Sequence, residues 1–376
     1  MESNGVELSV SGFQHQGYDF ISQGSAHASP WGTTRHQSPI KQTARDASIN
    51  RNSDVDPKDP EIIESLFVCV KAQSTLETIC GLLPRLTPKS TIVLLQNGMG
   101  VYDELITQVF PDPLRRPHIV SAAITHGAWI RSSLHVVHAG VGKIDFGIMS
   151  DGHERDFEAT RNGHARISVG DLSPLPSLSV DDIAPKTQEV DIDDRYRSLR
   201  DTVEVLLRMQ PLQVSWIPIH DILMSMRRKV VVNAVINPIT ALLNCENGLI
   251  FSHPEGSDLC RAVCQEAEAV FRAQWEADGG DAGTHGRADA AGFPSSLGAE
   301  QLETFCKEVA VTTAQNTSSM LMDVRLGRQT EVQYMTGYLI GLGHKYRVRT
   351  PTNLSLFNMV KLKTALQQSS PSQRSP

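Results

Sequence analysis

The chain has 376 residues, 40% of them hydrophobic and 20% charged, and a formal net charge of −7. That length supports two domains with cores of their own, and the mild acidity excludes the basic stripe that nucleic acid or an anionic membrane needs. No run approaches the ~20 apolar residues of a membrane span, and the opening residues lack the charged head and apolar core of a secretory signal. The expectation is a cytoplasmic protein that acts on a small molecule. Six cysteines are scattered along it: Cys69, Cys80, Cys245, Cys260, Cys264 and Cys306. Cys260 and Cys264 are one helical turn apart rather than a Cys-x-x-Cys pair, so reduced packing thiols are expected and no metal site.

Taken in chain order, "GVELSV" (5–10) alternates like a half-buried strand, and the rest of residues 1–60 is polar and reads as loop. "SLFVCVKA" (65–72) and "TIVLLQNGMG" (91–100) suit buried strands, with helical patterns at 74–86 and 101–110. A third strand at 118–128 and a hairpin at 134–147 follow. Alternation of strand and helix predicts a parallel α/β sheet over 61–150. Residues 151–196 are charged, Pro-containing and aperiodic, as expected of a solvated insertion or linker. From 197 to 366 nearly everything reads as helix, broken by a Gly-rich loop near 279–294, and 367–376 reads as a tail. The fold class expected is therefore α/β plus all-α: a truncated Rossmann-like sheet domain, then a helical domain.

The segment "KVVVNAVINPITALL" (229–243) carries the most information. Its only polar residues are Lys229, Asn233, Asn237 and Thr240. At about 100° per residue, the last three fall roughly 40°, 80° and 20° from the lysine, so all four share one narrow face. A merely wet face would carry Glu, Lys, Arg or Gln, because asparagine is a poor helix former. Pro238 adds a local defect by removing an amide donor. A lysine among hydrocarbon side chains needs a partner or loses its proton, which suits it to donate one.

Partners for such a lysine can come from the carboxyl ends of parallel strands, where open α/β sheets bind ligands. Lys71 ends the first strand, and Gln96-Asn97-Gly98 ends the second. "GMGVYD" (98–103) starts like a dinucleotide loop but has Asp103 where a third glycine belongs, and a tight strand-to-helix turn explains it better. Downstream, "SSMLMDVRLGRQTEVQYMTGYLIGLG" (318–343) reads as helix, turn at Gly327, helix. Thr330 and Gln333 have capping-box spacing, which puts Glu331 in the first turn of the second helix. The alternative role for Glu331 is to pair with Lys229.

Together with "VKA" (70–72), "LLQNGMG" (94–100), "THGA" (125–128) and "KVVVNAVINPITALLNCENGLI" (229–250), that segment resembles the ketopantoate reductases, in the family's order from residue 65 to about 360. The resemblance implies NADPH-dependent reduction of 2-dehydropantoate, a 2-oxo acid, in pantothenate biosynthesis. It implies that Lys229 is the general acid and that Glu331 orients it and contacts the cofactor. It further implies that Asn97, Asn233, Asn237, Asn247 and Ser319 hold the substrate, and that Lys71, Asn97 and Ala128 line the cofactor groove. The sequence is compatible with a homodimer and does not fix the oligomeric state. The family's opening strand and Gly-x-Gly-x-x-Gly cradle have no counterpart before residue 65, and an organelle signal could have been lost with them. A non-catalytic member that binds substrate-like ligands is one alternative. A β-hydroxyacid dehydrogenase, which also spaces a lysine and an asparagine four residues apart on a helix, is another.

Overall fold

In β2 (Ser65–Val68), β3 (Thr91–Leu94) and β4 (His118–Ile124), short apolar runs bounded by polar turns form parallel strands in the order of the sequence. β3 is buried at every position and β4 at all but its last residue, the mark of strands covered on both faces. The crossovers are α1 (Ala72–Leu82) and α2 (Val101–Glu104), the latter running on as a π-helical turn, Leu105–Val109. The computed structural model describes residues 6–9, 61–132, 135–153, 155–161, 177–183, 190–279 and 292–369. The polar stretch 10–60, the centre of the loop expected at 279–294 and the last seven residues lie outside these.

Contacts divide the chain into two compact units. The smaller comprises Met1–Pro60 and Ala128–Ala139. Its sheet runs β1 (Val6–Ser9), β6 (His135–Gly140), β5 (Gly127–Ser132), with β1 antiparallel to β6 from Val6↔His138 to Ser9↔His135. The strand read at 5–10 is thus present.

The larger unit, Glu61–Gly127 with Gly140–Pro376, holds a five-stranded sheet ordered β2-β3-β4-β7-β8. β7 (Ile144–Ile148) runs antiparallel to β4, and β8 (Val214–Trp216) lies parallel to β7. The hairpin expected at 134–147 does not form. β6 is half-exposed, whereas every residue of β7 is buried, so the two strands cannot share a solvated hairpin and enter different sheets. The linker expected at 151–196 is also corrected. Phe157 and Ile183 are buried in one core with Phe146, Leu199, Val203 and Trp216, and α3 (Val190–Arg208) begins inside that segment. Tyr196 joins the same core, so the described parts of the segment are packed rather than solvated.

The remaining helices of this unit are α4 (Ile219–Leu243), α5 (Pro254–Ala277), α6 (Ala299–Thr312), α7 (Ser319–Arg325), α8 (Thr336–Tyr346) and α9 (Pro351–Ser369). α4 is their axis: Val230, Val231, Ala234, Val235 and Ala241 are essentially inaccessible. Its 25 residues continue through Pro238 and stop where Asn244 turns left-handed at φ 55°. No described helix is long and apolar enough to cross a membrane. On the other side of the sheet, Phe146 is fully buried and stacks on Trp216 with ring centroids 6.2 Å apart. Phe146→Ala is expected to cost about 3–5 kcal/mol, read as a lower urea midpoint with the slope unchanged.

Candidate functional site

Lys229 lies mid-way along α4 with a half-buried side chain, and its ammonium reaches the carboxyl end of the sheet. There it donates to Asn97 Oδ1 at 2.7 Å and to the carbonyl of Ile124, the last residue of β4, at 2.5 Å. Asn97 lies in the loop three residues past the end of β3, and Ile124 ends the adjacent β4, so both acceptors come from the carboxyl side of neighbouring parallel strands. Neither acceptor is charged. Burial therefore dominates and lowers the lysine's pKa to about 8, with the Glu331 carboxylate pulling the other way.

Glu331 is buried and is reached from the opposite direction. Its Oε1 accepts from the backbone N–H of Ala72 at 3.0 Å, 259 positions away in sequence. Ala72 opens α1, so the carboxylate caps that helix and meets the positive end of its dipole. Burial raises the Glu331 pKa, opposed first by the Ala72 amide and then by Lys71. Lys71, the residue before α1, forms a close ion pair with the buried Asp323 of α7.

Two expectations for Glu331 need correction. It does not start a helix: Val332–Tyr334 is a single 3-10 turn, and α8 begins only after Met335, whose backbone (φ −116°, ψ −92°) breaks the path. Thr330 and Gln333 form no capping box, and the carboxylate caps α1 instead. Nor does it form an ion pair with Lys229, whose hydrogen bonds go to Asn97 and Ile124; the two charges interact across the site.

The glycine loop after β3 explains how these groups come together. Gly98 has φ 91° and Gly100 φ 100°, conformations that side chains resist. A Cβ on Gly98 would lie 2.6 Å from the Tyr334 carbonyl oxygen. That close approach lets Met99 N–H donate to the same oxygen at 2.8 Å, while Tyr334 Oη donates to Glu104 Oε2 at 3.0 Å. The loop bearing Asn97 is thus locked to the turn bearing Glu331. Gly98 serves this backbone contact, while Gly100 lies beside the Tyr338 ring.

The other polar residues of the stripe face different neighbours. Asn233 is half-buried one turn beyond Lys229. Asn237 is buried and points its amide at Met335 Sδ, 3.4 Å away. Thr240 bonds Ser318 Oγ at 2.7 Å, and Ser318 caps α7. Ser319 is exposed at the start of that helix. Asn247 donates to Thr313 Oγ1 at 3.0 Å and leaves its own Oδ1 buried with no partner. No contact joins Asn247 or Ser319 to Lys229. Ala128 is exposed and belongs to the smaller unit. Sequence reasoning missed the Ile124 carbonyl, which no side chain advertises. It also missed Asp323, an acid among the buried Met320, Leu321 and Val324, whose position on an apolar helix was a usable signal.

Comparison with known proteins matches this architecture. The family model "Ketopantoate reductase PanE/ApbA" matches residues 18–151, and its C-terminal counterpart matches residues 221–364. The 2-dehydropantoate 2-reductase of Yersinia pestis is 30% identical over 317 residues, covering 84% of this chain and 80% of its own. A probable 2-dehydropantoate 2-reductase of Schizosaccharomyces pombe is 23% identical over 311 residues, covering 81% and 75%. Among solved structures, a ketopantoate reductase from Ralstonia eutropha superposes with a TM-score of 0.54 at 16% identity, covering 82% of this chain and 78% of its own. A D-mandelate dehydrogenase complex with NADH and anilino(oxo)acetate gives 0.55 at 16% identity, covering 84% and 80%. The class is an oxidoreductase with a Rossmann-like sheet followed by a helical domain. Within it, the chain belongs to the ketopantoate reductase family.

Replacing Gly98 by Ala forces both a left-handed backbone and a collision with Tyr334. A destabilisation on the order of 1–3 kcal/mol is expected, visible as a lower melting temperature.

Proposed function

We propose that this chain reduces 2-dehydropantoate to pantoate with NADPH, and that Lys229 supplies the proton. The observation that carries this reading is the Lys229 ammonium, held by two uncharged acceptors at the sheet edge with its pKa at about 8. A proton donor works best when its pKa lies near the working pH. In this reading the sheet part of the larger unit takes the cofactor and the helical part takes the substrate.

The donor set fits the nicotinamide end of a dinucleotide. The Lys71 side chain and the Asn97 amide stand at the carboxyl ends of parallel strands, beside the buried Glu331 carboxylate. Bound there, a reduced nicotinamide supplies hydride to the substrate's ketone carbon. The protein's own part is to place that ketone oxygen at the Lys229 ammonium, so that the proton arrives as negative charge builds on oxygen. Asn97 and the Ile124 carbonyl aim the ammonium, leaving its third N–H for the substrate. Asn233 and Asn237, on the same face, offer amides to a carboxylate or hydroxyl group, and the unpartnered Oδ1 of Asn247 accepts from a hydroxyl. The choice of NADPH rests on family resemblance.

Three measurements test this. Lys229→Ala is expected to lower kcat by ~10²–10⁴-fold while the chain still binds cofactor; undiminished turnover would remove Lys229 from the mechanism. In the wild type, the reduction rate is expected to fall with rising pH above about 8, where the lysine loses its proton. Glu331→Gln removes the charge that raises the lysine's pKa, so the falling limb should move to lower pH. A limb that stays in place would mean that Glu331 serves only as the cap of α1. Assays with a panel of 2-oxo acids and with both reduced nicotinamides decide substrate and cofactor preference.

A further inference from the structure

The helical part of the larger unit contains a second group of chemically capable side chains, remote in sequence from Lys71, Asn97 and Glu331. Cys260 and Cys264 lie one turn apart on α5, and Cys306 reaches them from α6. All three are fully buried and all are free thiols. Their sulfurs lie within 4.8 Å of one another, with Cys260 Sγ and Cys264 Sγ 4.0 Å apart. The 4.0 Å between Cys260 and Cys264 is that of an S–H···S contact, and Cys306 completes a group of three sulfurs drawn from two helices. Three sulfurs around one soft centre, at distances of ~2.3 Å, stand roughly 3.3–4 Å from each other, so the triad has to contract by up to about 1.5 Å to close on such a centre.

Charge decides which centre. The core that holds the triad includes Val263, Ala267, Leu302 and Ala310, and a net charge there is costly. The nearest ionic groups do not offset one, because Glu303 is engaged by Lys307 at 2.7 Å and by Arg261. Among the described residues no fourth His, Cys, Asp or Glu joins the group, which disfavours the closed four-ligand shell of structural zinc. Three thiolates around a monovalent ion leave a charge of −2, and around a divalent ion −1. Around a trivalent centre they leave none.

We propose that Cys260, Cys264 and Cys306 form a trithiol site for trivalent arsenic, taken up as arsenite. The three S–H bonds and the three As–OH bonds exchange for three As–S bonds. Each thiol proton leaves with a hydroxide as water, so three waters are released, arsenic stays trivalent and nothing is oxidised. Entry requires local opening between α5 and α6, so uptake is slow and release slower.

The experiment incubates the full-length protein with arsenite. Native mass spectrometry is expected to show one arsenic per chain, and X-ray absorption three As–S bonds with no As–O bond. The Cys69→Ser/Cys80→Ser/Cys245→Ser triple variant, which keeps the triad, should bind unchanged. Cys306→Ala should retain two sulfurs and bind more weakly by roughly 10²–10⁴-fold, the usual chelate advantage of a linked third arm. Should Cys306→Ala fail to fold, Cys264→Ser takes its place with the same expectation. The proposal is overturned if no adduct forms after prolonged incubation, if arsenic keeps an oxygen, or if the triple variant loses binding. Tighter binding of cadmium than of arsenite would overturn the charge argument and the site assignment with it.

Discussion

Everything at the site depends on keeping one ammonium group charged in a place poor in water. Removing Lys229 from solvent disfavours its charged form, and the two groups that touch it are an amide oxygen and a backbone carbonyl. Neutral acceptors satisfy the N–H groups without the attraction that would fix the proton in place. A carboxylate at hydrogen-bonding distance would have made a strong ion pair. Glu331 acts from farther off and raises the lysine's pKa above what burial alone would set.

That balance requires Asn97, Ile124 and Glu331 to stand in fixed relation to α4. Ile124 ends β4 and inherits the sheet's rigidity, and Asn97 sits in the loop just past β3. The third sits on a short turn, which by itself would be loose. Its anchors are the Ala72 amide and the contact between Gly98-Met99 and the Tyr334 carbonyl, with the Lys71–Asp323 pair beside them. Backbone contacts of this kind tolerate few substitutions, whatever happens to the surface around them.

Much of this was legible in the sequence, and what was not has identifiable causes. The polar stripe on α4 could be read because helical period alone brings Lys229, Asn233, Asn237 and Thr240 to one face. β3 and β4 could be read because strands covered on both faces are continuously apolar; β2 has the same apolar run, but it is the edge strand and buries only Val68. The supposed hairpin misled because local alternation says nothing about which sheet a strand joins; β6 and β7 part company through burial that depends on distant partners. The capping-box spacing at Thr330 and Gln333 misled because a carboxylate can cap a helix that starts 259 positions earlier, a relation no window of sequence contains. The cysteines are the plainest case. Cys260 and Cys264 share a helix face by spacing, but only the packing of α6 against α5 adds Cys306.

The bond between the Ala72 amide and the Glu331 carboxylate also orders events in time. At ~5–20 residues per second, a ribosome needs roughly 13–52 seconds to add the 259 residues that separate them. For that interval the nascent first helix has a bare amino end, and water or a chaperone must serve it. Fragments ending before residue 331 lack this acceptor for the Ala72 amide altogether.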